Sequence, residues 1–251
     1  MLSIAQSAPV SPLTASVVYR GEPMTVPRAE DLAVIRAEGF TSVSWPFTNL
    51  PSVAALTRIA HDAGLLVNLN ADAPVLTPDS PMRGEDTVTL PVTAIPAEMI
   101  TPLAWRAIGH GTRVVAFDPG LRGQSSLIDR QTTRPGWLAT ASSLARQLQI
   151  NRALFADSVR GPSPVIDPPR AASIDVSLLD AGRSWILIAT NTSRDRLRAT
   201  IHLHGGVPYG LWLNLVDGST MAMLSQPGGP QWMLDLEGWG VRIYVIDKTL
   251  K

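Results

Sequence analysis

The chain has 251 residues, 45% of them hydrophobic, with 21 basic and 21 acidic side chains and no cysteine. That length buries a sizeable core in one large or two ordinary domains, and balanced charge without long single-sign runs points away from nucleic-acid and membrane partners. The absence of cysteine removes disulfides, thiolate metal sites and cysteine nucleophiles, and leaves cytoplasm and periplasm equally open for a soluble protein.

Residues 1–15 read as an irregular segment. Residues 1–13 lack the basic start and the apolar stretch of a signal peptide, and no apolar run approaches the ~20 residues of a membrane helix. From residue 16 one phrase is spoken three times: an amphipathic helix, a glycine and a short apolar strand. The copies are 31–38, Gly39 and 41–45; 52–63, Gly64 and 65–70; 97–110, Gly111 and 113–118. A glycine there takes the left-handed conformation that closes a helix, so each copy is half of a βα unit and the sheet is parallel. Strands are expected at 17–19, 41–45, 66–70, 87–90 and 113–117, and helices at 28–38, 51–63, 97–110 and 137–149. Pro27 and Pro51 suit first helical turns, and 73–86, with three prolines, reads as a loop.

Composition changes at Gly161-Pro-Ser-Pro164 and Asp167-Pro-Pro169, so 16–158 is read as one domain and 159–170 as a proline-rich linker. Beyond it the apolar period becomes two: Ile174, Val176 and Leu178 alternate with Ser173, Asp175 and Ser177. Six more short strands follow, at 185–190, 199–203, 211–216, 221–224, 232–236 and 241–246. Turn signals such as Asp217-Gly218 and Glu237-Gly238 separate them, which makes 171–251 a small antiparallel β-sandwich. The fold class is therefore α/β plus all-β, with about five parallel strands in the first part.

Residues 103–118, Leu-Ala-Trp-Arg-Ala-Ile-Gly-His-Gly-Thr-Arg-Val-Val-Ala-Phe-Asp, resemble the last helix and strand of β-galactosidase-like glycoside hydrolases of the retaining TIM-barrel superfamily, including family 42. Residues 29–45 are similar to the first helix and second strand of those barrels, and 184–191 to a strand of the sandwich that follows them. The resemblance implies a barrel, yet 16–158 is short of the ~250 residues that eight strands take. An incomplete (β/α) barrel is expected, with open sheet edges and an apolar interior lacking its opposite wall. A second copy or a partner chain is expected to cover them.

Retaining enzymes also need two carboxyl groups ~5–5.5 Å apart. The strand in the nucleophile's place reads Thr87-Val-Thr-Leu-Pro-Val92, with no acid at its end, and none of the glutamates carries over to a catalytic position. The expectation is a glycoside-hydrolase-like protein, non-catalytic, that binds carbohydrate or assembles with others in polysaccharide metabolism. The alternative is an active glycosidase using Asp72 and Asp118.

Ligands in such folds gather at the carboxyl ends of strands. Asn68, Asn70 and Asp72 share one face of an extended strand, either to bind sugar hydroxyls or to fill and cap the rim. Trp45 either stacks on a pyranose ring or packs in the core. Arg122 and Gln124, in the loop 120–126, serve as polar contacts or as plain turn residues, and Trp105 is read as packing. His202 and His204 share a strand face without further ligands, Ser125–Ser126 lacks the G-x-S-x-G turn, and no glycine-rich phosphate loop precedes a helix. No metal and no cofactor are expected.

Overall fold

The three repeated phrases end in the same hydrogen bond. In the computed structural model, which describes residues 13–18, 29–44, 50–68, 73–82, 84–120, 136–167, 173–204, 206–207, 209–226 and 229–249, Gly39, Gly64 and Gly111 have φ of 93°, 72° and 105°. The next N–H then reaches back five residues: Phe40 to Ile35 O at 3.3 Å, Leu65 to Ala60 O at 2.8 Å and Thr112 to Ala107 O at 3.1 Å. This is the closing bond of a Schellman turn, and it delivers each helix straight into a strand. A methyl group on Gly111 would meet nothing within 4 Å, so Gly111→Ala isolates the cost of the left-handed backbone. It is expected to cost about 1 kcal/mol and to lower Tm by about 3 °C in calorimetry; an unchanged Tm would refute the cap.

The β/α part runs β1 (Thr14–Val18), α1 (Ala29–Ala37), β2 (Ser42–Ser44), α2 (Leu50–Asp62), β3 (Leu66–Asn68), β4 (Thr87–Leu90), α3 (Ala97–Gly109), β5 (Val114–Phe117) and α4 (Trp137–Phe155). β1 starts inside the segment expected to be irregular, and α4 runs six residues past its expected end. The five strands are parallel, in the order β3-β2-β1-β5-β4. The steps β1→β2, β2→β3 and β4→β5 all move one place in the same direction. Right-handed crossovers then put their helices on one face. A doubly wound sheet would reverse direction at its centre.

The core confirms that asymmetry. Ala15, Val17, Val43, Val88, Leu90, Val115 and Phe117 pack with Leu32 and Ile35 of α1, Ala60 of α2 and Leu144 and Leu148 of α4. The opposite face is not the apolar wall expected of it. It carries Thr14, Ser16, Ser42, Ser44, Thr87 and Thr89, all buried within the chain, beside Val114 and Ala116. The edge of β4 is also not open along its length: Leu76 N–H donates to Thr89 O at 2.8 Å and Thr89 N–H to Pro74 O at 2.9 Å, a parallel bridge centred on Val75. Beyond β3 no strand pairs among the described residues.

The second sheet is antiparallel and has nine strands among the described residues, against seven expected. They are β6 (Val159–Arg160), β7 (Val165–Asp167), β8 (Ile174–Asp180), β9 (Ser184–Asn191), β10 (Leu197–His202), β11 (Gly210–Asn214), β12 (Thr220–Gln226), β13 (Gly229–Leu236) and β14 (Val241–Asp247), in the order β6-β8-β9-β14-β11-β12-β13-β10-β7. The sheet folds over on itself at β12, which pairs with β11 through one half and β13 through the other. Residues from both layers fill the interior, among them Trp212, Met223, Ile201 and Leu234, and the rings of Trp232 and Tyr244 meet edge-on at 5.0 Å.

The two extra strands come from the stretch expected to be a linker. β6 pairs with β8 at one end of the sheet and β7 with β10 at the other, so 159–167 bridges the two layers. Pro162 and Pro164 fall between these strands, where no ladder N–H is required, so a proline-rich composition is compatible with an edge.

α3 lies between the two sheets. Nine of its residues are buried, including Ile100, Leu103, Trp105 and Ile108, the pattern of a helix with no solvent face. On one side it meets the parallel sheet; on the other, Leu179, Ile186, Ile188 and Ile243 of the antiparallel sheet join the same cluster. A Cβ on Gly109 would sit 2.8 Å from Ser177 Cβ, so the helix end lies directly against β8.

Candidate functional site

The carboxyl ends of β1, β2, β3, β4 and β5 lie along one rim of the parallel sheet. Of the residues expected there, Asn68 and Asp118 lie within the described residues; Trp45, Asn70, Asp72, Arg122 and Gln124 lie outside them. Asn68 ends β3, the edge strand, and Asp118 follows β5, three strands away. At about 4.8 Å per strand the two are roughly 14 Å apart along the sheet, too far to act on one atom.

Asp118 is half-buried and tied into the backbone. Its N–H donates to Leu90 O at 2.8 Å, its carbonyl accepts from Val92 N–H at 3.1 Å, and its Oδ1 accepts from Gly120 N–H at 2.8 Å. That last bond is an Asx turn, which shapes the chain at Pro119-Gly120. Asn68 Nδ2 donates to Ser42 Oγ at 3.1 Å, and Ser42 Oγ reaches Ala15 O at 3.4 Å. Beside them Ser16 Oγ and Ser44 Oγ share a hydrogen bond of 2.7 Å. The hydroxyl face therefore leads up to the rim as a buried row of neutral donors and acceptors, Ser16, Ser42 and Ser44, that ends on part-exposed Asn68. Its hydroxyls are spent on one another, on Asn68 and on the Ala15 carbonyl, and by itself it supplies no strong acid or base.

Ser16, Ser42 and Ser44 are absent from the sequence-based candidates, although the signal is there. Parallel strands buried on both faces read as continuous apolar runs, whereas 14–17, 42–44 and 87–90 alternate Thr or Ser with Ala, Val or Leu. That alternation marks one polar face.

A second polar cluster sits at the far end of α3. His110 Nε2 lies 3.0 Å from both oxygens of Asp175, on β8, and Arg106 Nε is 3.5 Å from Oδ2, while Ser177 Oγ donates to Oδ1 at 3.3 Å. Burial alone would push the Asp175 carboxyl up; the hydrogen bond and charge of His110, with those of Arg106, outweigh it and hold the carboxyl below its ordinary range. His110 also borders a cavity of about 230 Å³ under the loop 74–85, walled by Val75, Leu76, Pro81, Met82 and Val88. Its other ring nitrogen, Nδ1, is buried and has no hydrogen-bond partner. This cavity opens at the amino ends of the strands, opposite the rim, and its apolar walls suit packing more than polar recognition. Residues 65 apart in sequence make the cluster, so local pattern carries no sign of it.

No protein family and no curated protein matches the chain. Solved structures similar to it include a GH30 endoxylanase from Clostridium papyrosolvens (TM-score 0.40, 7% identity, covering 94% of this chain and 97% of that one). Others are a maltogenic α-amylase from Thermotoga neapolitana (0.48, 13%, 85% and 52%) and a GH27 β-L-arabinopyranosidase from Geobacillus stearothermophilus (0.36, 7%, 88% and 62%). The chain thus spans about half of that amylase and about three fifths of that arabinopyranosidase. At scores below 0.5 these likenesses establish neither a common fold nor a common activity.

Proposed function

We propose that the chain is a glycoside-hydrolase-like protein whose β/α part is an incomplete barrel. In this reading it binds carbohydrate, or serves as an assembly subunit in polysaccharide metabolism, without cleaving glycosidic bonds itself. The strand order supports the barrel half of the reading. An arc of a singly wound cylinder has every step in one direction and its first and last strands side by side, as β1 and β5 are here. The resemblance of 103–118 to the closing helix and strand of such barrels agrees with that placement.

The observation that carries the non-catalytic half is the state of the rim. Retaining and inverting glycosidases both need two carboxyl groups flanking the bond. Among the described residues the ends of the five strands bring one carboxylate, Asp118, and it shapes a turn. Asn68, part-exposed at the rim and oriented by Ser42, suits a sugar hydroxyl, with Trp45 as the stacking surface and Asn70, Arg122 and Gln124 as further polar contacts. No strand among the described residues pairs with the outer edge of β3, and in the assembly role this is where a further chain would add.

Glycan-array binding followed by calorimetric titration tests this. Binding is expected, weakened at least tenfold by Trp45→Ala and by Asn68→Ala, with no release of nitrophenol from nitrophenyl glycosides. Turnover that disappears in Asp118→Asn would overturn the proposal in favour of a glycosidase that pairs Asp118 with Asp72. Failure of any glycan to bind would remove the carbohydrate role.

A further inference from the structure

The fold at β12 closes one side of the antiparallel sheet, and the opposite side is closed by a different device. The strand order begins with β6 and ends with β7, yet only residues 161–164 separate the two in the chain. The step from Arg160 to Val165 spans at most about 18 Å, so the outer ends of the two layers meet there and one short strap holds them. Its attachment is light. β6 gives two residues to the end of β8 and β7 three to the end of β10, whereas β8 and β9 pair over seven. Val159 is 62% and Val165 51% exposed, and Ile166 packs, partly buried, on the sandwich core. The start of the strap is held firmly: Ser158 is buried, and Arg113 donates to its carbonyl and, at 3.3 Å, to its hydroxyl. Beyond it Gly161 N–H donates to Leu178 O at 2.8 Å. Glycine lets the strap lie this close, because a Cβ there would sit 2.8 Å from Trp185 Cζ3 and 3.1 Å from Leu178 O.

We infer that residues 159–167 are a latch, which lifts as a unit from a hinge at Ser158 while both layers stay formed, and which when closed keeps the ends of β8 and β10 from pairing with another chain. The lifting follows from how little the segment buries. A local opening costs what its contacts are worth, and this one gives up a few ladder bonds and the partial burial of Ile166. The guarding follows from the contrast between the strap and what it covers. Leu178 and Leu179 of β8 and Ile201 of β10 belong to strands of seven and six residues, long and apolar enough to template a further strand. The strap that occupies their edge offers such a strand little: its own strands are two and three residues long, Pro162 and Pro164 have no N–H to donate, and Arg160 and Asp167 bring charge. The latch is independent of the edge of β3 and of the carbohydrate reading.

Hydrogen exchange of the full chain, read by mass spectrometry, tests it. Residues 159–167 are expected to exchange at least a hundredfold faster than 184–191, at a rate that about 1 M urea leaves unchanged, the mark of an opening that exposes little surface. Gly161→Val, which pushes the strap off Trp185, is expected to speed exchange at 178–180 and 200–202 at least tenfold and to leave 184–191 as it was. In sedimentation velocity at 100 µM the same variant is expected to run heavier than the unaltered chain. Exchange of 159–167 that rises with urea in step with 184–191 would overturn the latch, as would a variant whose segments 178–180 and 200–202 keep their rates. A variant that opens there but sediments like the unaltered chain would overturn the guarding role. Should the variant not fold, the urea dependence of exchange in the unaltered chain decides.

Discussion

Trp105→Ala is expected to cost about 3 kcal/mol and to unfold both sheets together. The ring is 1% exposed and packs on Phe155 at 5.6 Å, and truncating a buried tryptophan costs 3–5 kcal/mol through lost transfer energy and the cavity left behind. The lower end applies because the indole Nε1 is buried without a hydrogen-bond partner; removing it also removes an unmet donor. The position matters as much as the size. Among the described residues α3 is the helix that meets both sheets and joins them in a single apolar cluster, so loosening it weakens the β/α layer and its seat on β8 and β9 at once. Urea denaturation followed by far-ultraviolet circular dichroism and by tryptophan emission should give one shifted transition by both probes. Two separated transitions, with the antiparallel sheet keeping its midpoint, would mean that α3 does not couple the sheets.

That coupling explains which parts of the structure are legible in the sequence. The helix–glycine–strand phrase is local: three residues decide the cap, so Gly39, Gly64 and Gly111 announce their turns and the parallel strands after them. The period of two after residue 173 is equally local. The stretch 159–167 is misread because proline and glycine are common to linkers and to edges; only pairing with β8 and β10, set by tertiary packing, tells them apart. The Val75 bridge that covers part of the edge of β4 is likewise a product of docking, as is the meeting of His110 with Asp175. The hydroxyl face is a different case. The alternation of Thr14, Ser16 and Ser42, Ser44 is visible in the sequence, and the expectation of an apolar barrel interior conceals it. For the rim itself, sequence places Asn68 and Asp118 at strand ends, where they stand, but not the Asx turn that occupies Asp118.

Asp175→Asn is expected to lower stability by about 2–3 kcal/mol at pH 7 and by much less near pH 2. Breaking a buried ion pair costs about 3–5 kcal/mol because the partner's charge is stranded; here Asp175, Arg106 and His110 keep 21%, 16% and 14% of their side-chain surface, which reduces the figure. The pH dependence follows from the direction of the shift. A carboxyl held below its unfolded value of about 3.9 contributes stability above that value, and the contribution is lost as pH falls through the lower, folded one. The unaltered chain therefore loses this contribution on acidification, and the variant has none to lose. Asp180, Asp217, Asp235 and Asp247 are also held low by their own partners, so both proteins weaken in acid, and only the gap between them reports on Asp175. Measured by urea unfolding at intervals from pH 7 to pH 2, that gap should close below pH 4. A gap that stays constant would mean that Asp175 matters through shape and hydrogen bonding alone, and that the charge of the cluster under α3 contributes nothing to holding the helix on β8.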